Sequence, residues 1–313
     1  MSAAEFKHEP VLLEEALAAL AITADGCYLD ATFGRGGHSS WILQQLGANG
    51  RLLGLDRDPT AIALGRQRYG SDARLQLVQC AFAELTQAVQ EVGMTQGLDG
   101  VLFDLGVSSP QLDDAARGFS FMQDGPLDMR MDNSTGITAA SWLAKVSEHE
   151  LLGVIRDYGE ERFARRIASA IVQQRNQQPI NTTAELAQIV SSAVPTREPG
   201  KHPATRTFQA IRIAVNAELQ QIDQALQQVL TQLKPGGRLC VISFHSLEDQ
   251  RVKKFMQQHS QDDPLFAGLP VVPPERRATL KRIGKAIHAS DAEVRRNPRA
   301  RSAILRVAQR VAA

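Results

Sequence analysis

Residues 33–38, with the sequence FGRGGH, form a glycine-rich segment of the kind that binds ligands through its backbone. The segment follows a strand-like apolar run and precedes a helical pattern, so its glycines permit a tight turn at the positive end of a helix. Asp56 closes the next strand-like run, twenty residues after Gly36, where a carboxylate can accept both hydroxyls of an adenosine ribose. Together they predict an adenosine-containing cofactor. Taken alone, the glycines are equally consistent with a simple strand-to-helix turn that binds no ligand, and Asp56 alone with a solvated strand end.

Two further features bear on which cofactor this is. A dinucleotide-binding fingerprint requires Gly or Ala where Ser39 stands, so the spacing does not fit a nicotinamide site. Residues 233–239 (LKPGGRL) resemble the turn before strand five of class I methyltransferases, and two late strands suit the antiparallel hairpin that closes their sheet. We therefore expect S-adenosylmethionine, with a nicotinamide-dependent dehydrogenase as the alternative.

Short apolar runs alternate with helical patterns over the first hundred residues, which predicts βαβ units on a parallel sheet. The carboxyl ends of parallel strands meet at one edge of such a sheet, so the binding site is expected in the loops there. Strands are predicted at 27–33, 51–56, 74–80 and 100–105, and helices at 37–46 and from Asp58 and Pro59 onward.

The rhythm changes between residues 109 and 203, where no strand pattern appears. Helix starts are indicated by two capping-box pairs, Ser147 with Glu150 and Thr182 with Glu185. This stretch is therefore interpreted as an inserted all-helical domain, residues 109–206.

Apolar residues recur every three or four positions over 208–233, which predicts one long amphipathic helix returning to the sheet. The expected fold is α/β: a Rossmann-like class I methyltransferase sheet in a discontinuous domain of residues 1–108 and 207–313, interrupted by the helical insert. The remaining predicted elements are a strand at 238–244, a helix at 247–259, and strands near 279–283 and 302–308.

Six motifs in one order make the resemblance more specific. The chain strongly resembles the MraW/RsmH family, bacterial methyltransferases that modify the exocyclic N4 amine of a cytidine in 16S ribosomal RNA of the small subunit. The resemblance extends from Lys7 and His8 to Ser302. The motifs are residues 32–38, 104–114, 117–122, 124–132, 201–209 and 243–249.

The resemblance implies a set of S-adenosylmethionine contacts. For two of the contact residues, the chemistry of the side chain also suits the implied role. Phe82 offers a flat apolar face for a purine, and Asp104 can provide a counter-charge to an ammonium or sulfonium group. Ordinary core packing is the alternative for Phe82. The implied contacts are Gly36, Gly37 and His38 in the loop, Asp56 at the ribose, Phe82 beside the adenine, and Asp104 and Gln111 around the methionine end.

Methylating a cytosine amine requires help from the protein, because the amino lone pair is delocalised into the ring. An acceptor near the amine would help to localise that pair and remove the proton. Other amino-methylating enzymes place Asp, Asn or Ser, two prolines and an aromatic residue after strand four. In this sequence the corresponding segment, Ser108-Ser109-Pro110, has no second proline and no aromatic residue, so the mechanism of those enzymes cannot be transferred to it. Ser108, Ser109, backbone carbonyls and His245 remain catalytic candidates, and a structural loop is the alternative for each.

Charge is unevenly distributed along the chain. The whole sequence has 35 Lys and Arg and 34 Asp and Glu, a net charge of +1, but residues 275–313 have eleven basic and three acidic residues. The net charge of residues 275–313 is therefore +8, and that of the remaining residues is −7. This basic segment predicts phosphate contacts with RNA; the alternative is a charged surface that is only solvated. The candidates are Arg276, Arg277, Lys281, Arg282, Arg295, Arg296, Arg299 and Arg301.

Composition excludes other classes of protein. No apolar run approaches the ~20 residues that cross a bilayer, and the charged start does not fit a secretory signal, so a cytoplasmic protein is expected. Three widely spaced cysteines without a Cys-x-x-Cys pair give no indication of a metal site. A ribosome-assembly factor that uses the cofactor site only for structure remains an alternative outside enzymes.

Overall fold

The structure is a computed structural model that describes residues 10–196, 200, 202–266, 272–273 and 276–312. Lys7 and His8, where the family resemblance begins, lie outside the described residues, as do Lys201 and Glu275. None of the helices in the described ranges has the length and apolarity needed to cross a bilayer.

The chain divides into two compact units. The first consists of Met1–Gly106 with Gln220–Ala313, and the second of Val107–Leu219. The domain bounds predicted from the sequence, an insert at 109–206 within a domain of residues 1–108 and 207–313, stay a prediction.

Within the described residues, the first unit contains an eight-stranded sheet whose order is β3-β2-β1-β4-β5-β8-β6, with β7 also paired to β8. The first five strands pair in parallel, and β8 runs antiparallel to β5, β6 and β7. This arrangement confirms the predicted α/β class and its antiparallel closure. The strands are β1 (Cys27–Asp30), β2 (Arg51–Asp56), β3 (Leu75–Gln79), β4 (Leu98–Asp104), β5 (Leu233–Ser243), β6 (Leu280–Arg282), β7 (Ile287–His288) and β8 (Ile304–Arg310).

The central strands are nearly continuous apolar runs because helices cover both faces of a parallel sheet. Leu29 in β1, Leu53 in β2 and Val101 in β4 are fully buried. The helices of this unit are α1 (Leu13–Leu20), α2 (Gly37–Gln45), α3 (Pro59–Tyr69), α4 (Leu85–Glu91), α11 (Glu218–Gln232, which begins in the second unit), α12 (Ser246–His259) and α13 (Asp291–Arg296).

Strand β5 begins five residues before the predicted start at 238. Leu233 already pairs with Leu98, and the register then shifts before Arg238 pairs with Gly100. The Pro-Gly-Gly segment is therefore an irregularity inside the strand, which local turn chemistry alone does not distinguish from a loop.

The second unit is helical: among its described residues, no strand longer than an isolated bridge occurs. Ser147 caps α7, because its side chain accepts a hydrogen bond from the amide of Glu150 at 3.1 Å. Thr182 and Glu185 form the full capping box at the start of α9. The helices are α5 (Ser109–Asp113), α6 (Ala139–Lys145), α7 (Glu148–Asp157), α8 (Ala164–Gln177), α9 (Thr183–Ala193) and α10 (Thr205–Asn216).

The single helix predicted over 208–233 is wrong, because the segment is broken into α10 and α11. Ala217 separates them in the left-handed region, with φ of +50°. The sequence pattern does not reveal the break, because apolar residues continue to recur every three or four positions across it. An ion pair joins its two sides, with Arg212 Nε 2.7 Å from Glu218 Oε1.

The side chain of Asn216 stabilises this break. Its Nδ2 donates to the carbonyls of Met129 at 2.7 Å and Arg212 at 2.9 Å, and its Oδ1 accepts from the amide of Met131 at 2.8 Å. The side chain is buried, so these backbone groups have no water to replace it.

We expect Asn216→Ala to lower the free energy of unfolding by about 2–4 kcal/mol, because it leaves buried backbone groups of residues 129–131 without partners. Urea denaturation measures the change. Gln224→Ala, at an exposed position of α11, is the control, with an expected change within about 0.5 kcal/mol. Equal losses in the two variants would show that Asn216 does not hold the break.

Candidate active site

The glycine-rich loop joins β1 to α2 and requires glycine for two physical reasons. Gly36 has φ of +75°, and a Cβ there would lie 2.8 Å from Cε2 of Tyr69 and 2.9 Å from Cζ of Phe33. A Cβ on Gly37, the first residue of α2, would lie 2.7 Å from Cγ of Pro10. The loop is therefore a close-packed turn that leads directly into the start of α2.

Asp56, the last residue of β2, holds this loop in place. Its Oδ2 accepts a hydrogen bond from the amide of Gly34 at 2.7 Å, and its Oδ1 accepts from the amide of Asp58 at 2.8 Å. Burial raises the pKa of Asp56 to about 6, although both amides favour its ionised form. The carboxylate thus joins the glycine loop to the start of α3.

Asp30, the last residue of β1, is a fully buried carboxylate and was not predicted as a site residue. It is 1% exposed; its Oδ2 accepts from the hydroxyl of Ser39 at 2.6 Å and its Oδ1 from the amide of Thr32 at 3.2 Å. Burial raises its pKa. Ser39, which broke the dinucleotide fingerprint, therefore provides a hydrogen bond to this acid.

Asp104, the last residue of β4, lies beside His38. Its Oδ2 is 3.6 Å from Nδ1 of His38, whose Nε2 is 3.1 Å from the carbonyl oxygen of Val11. Oδ1 of Asp104 is buried and has no hydrogen-bond partner within the described part of the chain. Burial raises the pKa of Asp104 to about 6, His38 opposes that shift, and the charges of Asp30 and Glu248 reinforce it.

Glu248, in the first turn of α12, is a further buried acid that the sequence analysis assigned no role. It is 1% exposed, and its Oε2 accepts from the amides of Phe244 at 2.8 Å and His245 at 3.3 Å. Nδ1 of His245 in turn accepts from the amide of Glu248 at 3.4 Å, and its Nε2 lies 3.2 Å from Oε1. The reciprocal His-x-x-Glu spacing is a capping signal that could have identified the pair.

Phe82 follows β3 in a short 3-10 turn and is partly buried. Its ring packs edge-to-face on Phe103, with centroids 5.7 Å apart and an interplanar angle of 88°. Phe103 precedes Asp104 in β4, so Phe82 is anchored on the strand that carries this acid. Its role beside an adenine stays a prediction.

Ser108, Ser109 and Gln111 belong to the second unit, at the start of α5. Oε1 of Gln111 accepts a hydrogen bond from the amide of Ser108 at 3.0 Å, and the Gln111 side chain is buried. Gln111 therefore stabilises this helix start. The cofactor contact predicted for Gln111 and the catalytic roles predicted for the two serines stay predictions.

The first unit thus brings together most of the predicted site. Gly36, Gly37, His38, Asp56 and Asp104 are joined through the loop and its hydrogen bonds, and His245 is joined to Glu248. Among the described residues, no Lys or Arg forms an ion pair with Asp30, Asp56 or Asp104, and no cluster of three potential metal ligands occurs. Three desolvated carboxyl groups without a Lys or Arg partner, one of which has an oxygen (Oδ1 of Asp104) with no hydrogen-bond partner in the described ranges, favour a cationic, hydroxyl-bearing ligand.

The basic residues of the C-terminal segment have different surroundings. Arg276 is paired with Asp263 at 3.2 Å, and Nε of Arg277 donates to the carbonyl of Val272 at 2.9 Å. Lys281 and Arg282 are exposed on β6, the edge strand of the sheet. Arg295 and Arg296 lie in the last turn of α13, and Arg299 and Arg301 lie in the 3-10 segment Pro298–Ser302. Their contact with RNA stays a prediction.

We expect Asp104→Asn to change stability in a pH-dependent way. Because the folded-state pKa of Asp104 is raised, the folded protein retains a proton that the unfolded chain has lost between about pH 4 and 6. The stability from neutral Asp104 is therefore present near pH 4 and lost as the pH rises through 6. Relative to the unmodified protein, the free energy of unfolding of the variant should increase by about 2–3 kcal/mol from pH 4 to pH 7.

Urea denaturation at the two pH values measures this difference. Asp25→Asn, at an exposed position, is the matched control and should alter stability by less than about 0.5 kcal/mol at both. A pH-independent effect of Asp104→Asn would contradict the raised pKa.

Comparison with known proteins identifies related chains over nearly the whole length. The model of the MraW methylase family matches residues 5–311. The Ribosomal RNA small subunit methyltransferase H of Thioalkalivibrio sulfidiphilus is 56% identical over 97% of this chain and 98% of its own. The proteins of that name from Shewanella woodyi and Idiomarina loihiensis are 54% and 53% identical, over 98% and 97% of this chain and 98% and 97% of their own.

Proposed function

Because this chain belongs to the MraW methylase family, we propose that it is an S-adenosylmethionine-dependent methyltransferase. The proposed substrate is 16S ribosomal RNA of the small subunit, at the exocyclic N4 amine of a cytidine. The names of its relatives support the ribosomal RNA substrate. The choice of cytidine rests on the family resemblance of the motifs.

The observation that carries the proposal is the cluster of desolvated acids, Asp30 fully buried and Asp56 and Asp104 partly buried, where β1, β2 and β4 end. Asp30, Asp56 and Asp104 are desolvated and have no Lys or Arg partner among the described residues, and Oδ1 of Asp104 has no hydrogen-bond partner there. S-adenosylmethionine carries a sulfonium, an ammonium and two ribose hydroxyls, so its charge and its donors fit this cluster. When bound, it supplies a methyl group that is already strongly electrophilic.

The residues of the chain divide the work of binding. Gly36 and Gly37 permit close approach of the backbone, Asp56 accepts the ribose hydroxyls, and Phe82 packs on the adenine. Asp104 provides the counter-charge, and Gln111 contacts the methionine end. These contacts align the reacting groups and exclude water, which are the main contributions a protein makes to such a transfer.

The acceptor for the amine proton is assigned to one of three groups: Ser108, Ser109 or His245. His245 has a side chain only 12% exposed, and Glu248 holds its ring. Both ring nitrogens face Glu248, so the imidazole can accept the amine proton only if Nδ1 releases its long hydrogen bond from the Glu248 amide. We expect His245→Asn to preserve donor affinity and lower kcat by about 10²-fold if the imidazole is the acceptor; Ser108→Ala and Ser109→Ala test the alternatives in the same assay.

The substrate must present its cytosine outside the base stack, because the amine is otherwise unreachable. We further propose that the enzyme acts in the cytoplasm, where its substrate, 16S ribosomal RNA, is found.

The proposal is tested by isothermal titration calorimetry with S-adenosylmethionine and by mass spectrometry of nucleosides from 16S rRNA. Asp104→Ala should weaken donor binding at least tenfold, because it removes the counter-charge, while Asp25→Ala should leave it unchanged. rRNA from cells lacking the chain should lose one N4-methylcytidine modification.

Three outcomes would contradict this proposal in different ways. Binding of a nicotinamide cofactor instead of S-adenosylmethionine would favour a dehydrogenase. Loss of a methyl from another base would refute the cytidine assignment. If Asp104→Ala restores small-subunit assembly in cells that lack the chain, without methylating the RNA, the result would favour an assembly factor.

A further inference from the structure

A cavity of about 750 Å³ lies in the first unit, among α12, β6, β8 and the turn that follows β6. Its volume is within the ~300–1,000 Å³ typical of ligand pockets. None of the residues assigned to the donor site lines it. We call it the basic groove; the basic residues that line it are Lys253, Lys281, Arg282, Lys285 and Arg306.

The groove has an excess of positive charge. No Asp or Glu is among its lining residues. Of these residues, only Arg306 forms an ion pair with another described residue; its Nε is 2.6 Å from Oδ1 of Asp249. Lys253, Lys281, Arg282 and Lys285 are exposed and have no carboxylate partner within the described ranges. Four such cations around one concave surface attract a polyanion.

Protection of the sheet edge explains only part of this charge. β6 is an edge strand, and charged residues on edge strands prevent pairing with other chains. That argument applies to Lys281 and Arg282. It does not apply to Lys253, which lies on α12, or to Lys285, which lies beyond the strand.

Helix α12 connects the groove to His245 of the proposed active site. α12 starts at the His245–Glu248 pair, Asp249 follows with its ion pair to Arg306, and Lys253 lies one helical turn further on. Lys253 is eight residues beyond His245, about 12 Å along the helix axis, so a polymer with its reactive base near the start of α12 needs to span only roughly two or three nucleotides to reach the groove.

We propose that the basic groove binds the phosphodiester backbone of the RNA segment adjoining the target nucleotide. This inference rests on the proposed function, which supplies the RNA. Lys side chains suit this role because they contact phosphates as flexible point charges without reading sequence.

The test measures binding of a short single-stranded RNA by fluorescence anisotropy at several salt concentrations. Each phosphate contact that is lost should reduce the slope of log K against log[salt] by about 0.7 for a single strand. We expect the double variant Lys253→Gln with Lys285→Gln to reduce the slope by about 1.4. Lys254→Gln is the matched control, because Lys254 is exposed on the same helix but does not line the groove.

The methylation assay provides a second readout. The double variant should raise KM for RNA at least tenfold with kcat nearly unchanged, and its donor affinity and thermal midpoint should match those of the unmodified protein. A salt slope equal to that of Lys254→Gln would overturn the groove proposal even if methylation is intact.

The same experiments separate this inference from the proposed function. If the unmodified protein neither binds S-adenosylmethionine nor methylates RNA, the proposed function fails, while the change in slope still tests the groove. Polyglutamate is the competing probe for an acidic protein partner. If the double variant loses affinity for polyglutamate and not for RNA, the groove is a protein-binding site and the inference is wrong.

Discussion

Desolvation of carboxyl groups that have no Lys or Arg partner among the described residues is the constraint on which the first unit depends. Asp30, Asp56 and Asp104 end three neighbouring parallel strands, and desolvation raises the pKa of each. Such groups are costly in a folded protein unless hydrogen bonds or a ligand offset the loss of water. Backbone amides and Ser39 provide that compensation for Asp30 and Asp56, whereas Oδ1 of Asp104 is without it in the described structure.

The surrounding loops follow from this constraint. Gly34 donates to Asp56, and Gly36 turns the chain in a space that admits no side chain, so the loop geometry and the position of the acid depend on each other. The basic groove has the opposite charge in the same unit. Under the two proposals above, the desolvated acids bind the cationic donor and the exposed lysines bind the polyanionic substrate. Desolvation strengthens the first interaction, and solvent screens the second.

Much of this could be read from local patterns, and the failures have identifiable causes. β2 was predicted at its observed bounds, since an apolar run ending in Asp56 is a complete local signal. The helix break at Ala217 was missed because it depends on Asn216 bonding to residues 129–131, some 85 positions away. Glu248 was overlooked because a Glu in the first turn of a helix is usually exposed, and only packing makes it 1% exposed.

The sequence by itself determined the strands of the parallel sheet, the glycine loop with Asp56, and the family, because these depend on residue types at short spacing. Tertiary structure alone decided which acids are desolvated, which partner each of them has, and which lysines surround one groove. Those properties depend on dielectric environment and on contacts between distant segments, such as Asp249 with Arg306, and no local pattern encodes them.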